Sequence, residues 1–187
     1  MPDQYTDDEV EAFKRDWRAS HPATVKFWRQ INLSAVLAVE NQGRLVRCGR
    51  IDLECDGDFL RIRLPSGRCL SYPRPSLIDG RYGKCISFYN NSAGQFKPCR
   101  NGQGAYGGLW TENTVQAIAR DALAEALLRV EPHFRVIAHV HDEILCEVPE
   151  RACDLKTFHR LLTTHPKWSL DLPIAASVWC GPRYVKR

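Results

Sequence analysis

Apolar and polar positions alternate most regularly late in the chain. Val136, Ala138 and Val140 alternate with polar or small residues, and so do Ile144, Cys146 and Val148. Between the two runs stands the polar triplet His141-Asp142-Glu143. A period of two on both sides of a short polar break predicts a β-hairpin with the triplet at or beside its turn. Elsewhere the period lengthens. Thr6-Asp7-Asp8-Glu9 is a capping box, and Val10, Phe13 and Trp17 follow at helical spacing. Pro22 suits the first position of a second helix, which carries Val25, Trp28, Ala35, Val36 and Val39 and stops near Asn41-Gln42-Gly43.

The middle of the chain predicts strands. Ile51 to Cys55 alternates into Asp56-Gly57-Asp58, a strong hairpin signal, with Phe59 to Leu64 as the return strand. Pro65-Ser66-Gly67-Arg68 reads as a second turn, Cys69 to Tyr72 as a third strand and Lys84 to Tyr89 as another. Asn90 to Gly104 is polar and aperiodic, the pattern of an exposed loop. A long helix is expected from about Leu109 to Val130, with Val115, Ile118, Ala119, Ala122, Ala126 and Val130 as its apolar stripe and Gln116, Arg120 and Asp121 on the other side. Pro132 stops it. Ala152 to Thr163 reads as a shorter helix and Pro173 to Cys180 as a closing strand. No linker divides the chain, so a single core is expected.

Composition narrows the class. With 187 residues and 44% apolar content the chain can bury a core. No apolar run is long enough to span a membrane and no signal peptide opens the sequence, so a cytoplasmic location is expected. None of the eight cysteines forms a Cys-x-x-Cys pair. Reduced thiols in the core are therefore expected rather than a zinc knuckle. The net charge is +4. From Arg44 to Lys84 nine Lys or Arg face five Asp or Glu, an excess as large as that of the whole chain. A strand region of this kind suits either a solvated face or a nucleic-acid backbone.

The hairpin string Val140-His141-Asp142-Glu143-Ile144, followed by Glu147-Val148-Pro149, resembles motif C of the family A DNA polymerases, the bacterial DNA polymerase I group and its phage relatives. Three further stretches resemble that family in the right order. They are Gly67-Arg68 in its turn, Glu112 to Asp121 with Gln116, and Leu170 to Trp179 as a terminal palm strand. Ala117-Ile118 after Gln116 is closer to the phage and prophage branch. The resemblance runs from about Asp7 to Tyr184.

It implies an α+β fold: an antiparallel palm-like sheet with the motif C hairpin packed on a long helix, a helical N-terminal hairpin over 1–43, a β-rich basic insertion over 44–106 and a palm segment over 107–187. It also implies roles. Asp142 is the catalytic metal-binding carboxylate and Glu143 an auxiliary one. His141, Gln116 and Arg68 contact DNA. A Gln amide donates and accepts, so Gln116 can meet minor-groove acceptors common to every base pair. The implied cofactor is Mg2+, two ions roughly 3.5–4 Å apart, and the implied ligands are a DNA primer-template and deoxynucleoside triphosphates.

Two parts of the family pattern are missing: motif A, with the second metal Asp, and motif B, which grips the triphosphate. The expectation is therefore a C-terminal palm portion, inactive alone, that works with an upstream polymerase fragment carrying motifs A and B. The alternative is a non-catalytic nucleic-acid-binding remnant. A zinc site on His139, His141 and Asp142 has no third soft ligand at sensible spacing.

Overall fold

The computed structural model describes residues 5–80, 83–92 and 95–185. It is a mixed α+β fold with antiparallel sheets, and its contacts divide it into two units, one running through Val115 and the other from Gln116 onward.

The first unit opens with α1 (Asp7–Ser20). Thr6 caps it, with the Glu9 carboxylate returning to the Thr6 N–H at 2.8 Å, so the capping box forms as the sequence predicts. None of its residues is buried, however. Phe13 and Trp17 stay exposed, and Trp17 stacks on Trp28 at 5.5 Å instead of entering a core. Helix α2 (Pro22–Glu40) starts with its proline in the first turn, where the missing N–H has no helical partner to lose. Its Ile31, Ala35 and Ala38 are fully buried against the sheet that follows.

That sheet is a four-stranded meander of β1 (Val46–Cys48), β2 (Ile51–Cys55), β3 (Phe59–Arg63) and β4 (Cys69–Pro73), each paired antiparallel with the next. Ile51, Leu53 and Cys55 alternate inward, as do Leu60 and Ile62. The hairpin turns use Gly49, Gly57 and Gly67 at positive φ, a conformation a Cβ resists. Two small hairpins follow, β5 (Ser76–Gly80) with β6 (Gly83–Ser87) and β7 (Tyr89–Ser92) with β8 (Gln95–Pro98). The second corrects the expectation of an exposed loop over Asn90 to Gly104. Polar residues with no apolar alternation still pair here, and the segment then turns inward at Cys99 and Ala105, both 1% exposed.

Helix α3 (Gly107–Val130) begins in the first unit. Trp110, 0% exposed, meets Tyr72 edge-on at 4.9 Å and lies 5.6 Å from Phe88. Asn113 donates to the Tyr72 hydroxyl at 3.1 Å. Gly107 is set by close approach: a Cβ there would stand 2.0 Å from the Trp28 carbonyl oxygen. The expected apolar stripe of α3 is shifted. Val115 and Ala119 are exposed, whereas Thr114, Ala117, Asp121, Ala126 and Val130 are buried. Asp121 thus lies on the buried side of the helix, not the polar one.

The second unit has its own smaller cluster of Val130, Phe134 and Leu161, so the chain holds two cores where one was expected. No linker separates them, because the division falls inside α3. Packed on this cluster are the hairpin of β9 (Arg135–Val140) with β10 (Glu143–Glu147) and the amphipathic helix α4 (Leu155–Thr163), which Asp154 caps by accepting from the Thr157 N–H at 3.0 Å. The hairpin meets α3 through Val130, at the helix's last turn, and α4 through Phe158 and Leu162. Residues 173–180 do not pair as a strand, contrary to the expected closing strand, and β9 and β10 form a sheet of two strands only. Leu170, Leu172 and Pro173 are exposed and so contribute little burial to hold a third strand in place.

All eight cysteines are free thiols, and Cys48, Cys55, Cys85 and Cys99 are buried, as expected of reduced core residues. No helix among the described residues is long and apolar enough to cross a membrane.

Candidate functional site

The hairpin turn is built from two residues. Val140 pairs with Glu143, which leaves His141 and Asp142 as the whole connection. A two-residue hairpin turn needs positive φ at its first central position, usually supplied by Gly or Asn. Here His141 takes it, at φ +50°. A non-glycine residue in this region is strained, and such strain persists only where the flanking structure over-determines it. The flanking strands do so, through five paired positions and an ion pair between Arg135 and Glu147, 3.2 Å, at the open end of the hairpin.

One irregularity changes which side each residue takes. The register shifts between Leu145 and Cys146: Leu145 faces Ala138, but Cys146 faces Val136. Ile137 is therefore a bulge residue, and β9 reverses its alternation there. Val136 packs inward with Ile144 and Cys146. Beyond the bulge, His139 shares the side of Ile144, while Val140 shares the opposite side with Glu143. Sequence alternation alone had put Val136, Ala138 and Val140 on one side. The bulge leaves only Val136 in the core, and Val140 is 44% exposed.

Asp142 is exposed at the tip, and its neighbour Glu143 is half-buried. The Tyr184 hydroxyl donates to Glu143 Oε2 at 2.7 Å and fixes that carboxylate. The same contact raises the Tyr184 phenol above its usual range, because ionising it would lose the hydrogen bond it donates to Glu143. Sequence reasoning missed Tyr184. Its only signal was a lone tyrosine near the end of the chain, with no spacing that tied it to Glu143. Cys146, beneath the turn, has a thiol pushed up by burial and secondarily by the Glu131 charge.

The structure therefore brings His141, Asp142 and Glu143 together at one rigid turn. Gln116 is exposed on α3, at the start of the second unit. Arg68 is exposed in the β3–β4 turn and belongs to the first unit. The hard carboxylate oxygens of Asp142 and Glu143 suit a divalent cation such as magnesium. No group of three or more His, Cys, Asp or Glu able to hold a metal occurs among the described residues. The His139, His141 and Asp142 combination is thus not a metal cluster either. His139 lies within β9 and His141 in the turn.

Comparison with known proteins adds one relationship. The chain is 31% identical over 181 residues to a DNA polymerase of Bacillus phage SP02, a match covering 95% of this chain and 28% of that protein. The chain is thus related to a DNA polymerase along nearly all of its length, and it spans little more than a quarter of that relative. No protein-family model matches the sequence. No solved structure matches it.

Proposed function

We propose that this chain is the C-terminal palm portion of a DNA-directed DNA polymerase of the family A kind, and that its hairpin turn supplies a metal-binding carboxylate for nucleotidyl transfer. The observation that carries this reading is the two-residue turn holding Asp142 at an exposed tip beside a tethered Glu143, in a chain related to a DNA polymerase over 95% of its length. Asp142 is the ligand, and Glu143 tunes the charge next to it. Magnesium, when bound, activates a primer hydroxyl and neutralises triphosphate charge. His141 and Gln116 face the primer-template, with Arg68 on a phosphate. The remaining metal ligand and the residues that grip the deoxynucleoside triphosphate come from motifs A and B, which this sequence lacks. We assign them to a separate upstream polymerase fragment.

Magnesium-dependent primer extension tests this. The chain is assayed alone and mixed with the upstream polymerase portion, each with Asp142 intact or as Asp142→Ala. Extension only in the mixture, and only with Asp142 intact, is the expected result. Extension by the chain alone refutes the split. A mixture that works equally well with Asp142→Ala refutes the role of Asp142. The excess of positive charge over Arg44 to Lys84 suits one other reading, a nucleic-acid-binding remnant without catalysis. That reading predicts no extension in any combination.

A further inference from the structure

Arg68 in the β3–β4 turn aside, the outward face of the β1–β4 sheet has no part in the reading above. Its rows follow from the register. Arg47, Asp52, Arg63 and Cys69 form one, Glu54, Arg61 and Ser71 the next, and Phe59 with Pro73 the last. The inward face holds the core, but this one is open to solvent: Arg47, Arg63 and Ser71 are exposed and Phe59 keeps 36% of its surface.

Charge is unevenly placed on it. The meander brings the turn at Gly49-Arg50 and the turn at Gly67-Arg68 to the same end of the sheet, where Arg47 ends next to β2 and Arg63 ends β3. Arg47 and Arg63 flank Asp52 in the first row, where Asp52 accepts from Arg47 Nε at 3.0 Å, and Arg50 and Arg68 lie in the turns at the same end. Along β3, Arg63, Arg61 and Phe59 stand on one face at intervals of about 6.6 Å. The Arg61 guanidinium lies over the Phe59 ring, 5.2 Å from its centroid, and is paired with Asp56. A flat arginine-aromatic pair beside an arginine cluster joins the two elements that hold an unpaired strand: cations for the phosphates and a platform for a base.

We propose that this face binds single-stranded nucleic acid, with phosphates at the Arg47–Arg63 end and a base against Phe59 and Arg61. The stacking platform is what selects a single strand, since bases within a duplex already stack on each other. The site is built from residues of the first unit alone.

The test is fluorescence anisotropy of the full chain with a labelled oligo(dT), repeated across a salt series. Log affinity is expected to fall linearly with log salt. The Arg47→Gln/Arg63→Gln double variant lowers that slope by about 1.4, from two phosphates at roughly 0.7 each. Phe59→Ala weakens binding about five-fold or more and leaves the slope unchanged. Arg63→Lys keeps the slope. All substituted side chains lie on the solvent side, and an unchanged melting temperature for each variant confirms that the fold is intact. An unchanged slope in the double variant overturns the proposal. So does tighter binding of a blunt duplex of equal length, or equally tight binding of polyglutamate, which would make the face a general anion patch.

Discussion

Replacing Thr114 with Val tests the packing at the start of α3. Thr114 is 2% exposed, and its Oγ1 has no hydrogen-bond partner. One turn earlier Thr111 does what a helical threonine ordinarily does, donating to the Gly107 carbonyl at 2.8 Å. Thr114 lacks that return bond. A buried hydroxyl with no partner costs about 1–3 kcal/mol of desolvation. Valine is nearly isosteric, so no cavity opens, and the two residues have similar helix propensity. Thr114→Val should therefore stabilise the protein by roughly 1–2 kcal/mol, the lower half of that desolvation range.

Urea unfolding followed by far-UV circular dichroism measures the effect. With m near 1–3 kcal/mol per molar, the midpoint rises by about 0.3–2 M at unchanged m. Thr114→Ala removes the hydroxyl as well but opens a methyl-sized gap worth about 1 kcal/mol, so it falls below Thr114→Val. If Thr114→Val lowers the midpoint, the hydroxyl has a partner and the reasoning fails.

Three further outcomes are expected. Gly107→Ala drives a Cβ to within 2.0 Å of backbone at Trp28, which cannot yield as a side chain would, and costs about 3 kcal/mol or more; an unchanged melting temperature would contradict this. His141→Gly relieves the positive φ and slows amide hydrogen exchange in β9 and β10 by up to about 1 kcal/mol of opening free energy; faster exchange would show that the turn carries no strain. Burial raises the Tyr72 phenol above its ordinary value, against the smaller opposing pull of the Asn113 donor. The neutral form is thus favoured by folding. Its contribution is intact below the unfolded value near pH 10 and is lost as pH rises through the folded value, which a spectrophotometric titration against the melting temperature will show.

What the sequence revealed depended on how local the determinant was. Thr6-Asp7-Asp8-Glu9, Pro22 and Asp56-Gly57 act within three or four residues, and the capping box, the second helix and the β2–β3 turn stand where they predict. The turn at His141-Asp142 was legible for the same reason. Its bulge was not, because Ile137 looks like any other strand residue until the two strands are in register. The β7–β8 hairpin was missed because Asn90 to Gly104 shows no alternation in sequence. Asp121 and Thr114 looked like surface residues by polarity and are buried, which only tertiary packing decides. At the candidate site, Asp142 and Glu143 stand out by their neighbours in sequence, whereas Tyr184 reaches Glu143 from 41 residues away.

The pairing pattern described for the strands also bears on how fast the chain folds. Every strand among the described residues pairs only with its immediate neighbour in sequence, and the one longer bridge joins Ile86 to Ala105. Each closure therefore confines a short loop, and little chain entropy is lost before a contact rewards it. A β-rich region wired this way has low contact order and folds faster than a sandwich or barrel of equal strand count. The β1–β4 meander can zip up strand by strand as it leaves the ribosome, before the hairpin bearing Asp142 has been synthesised.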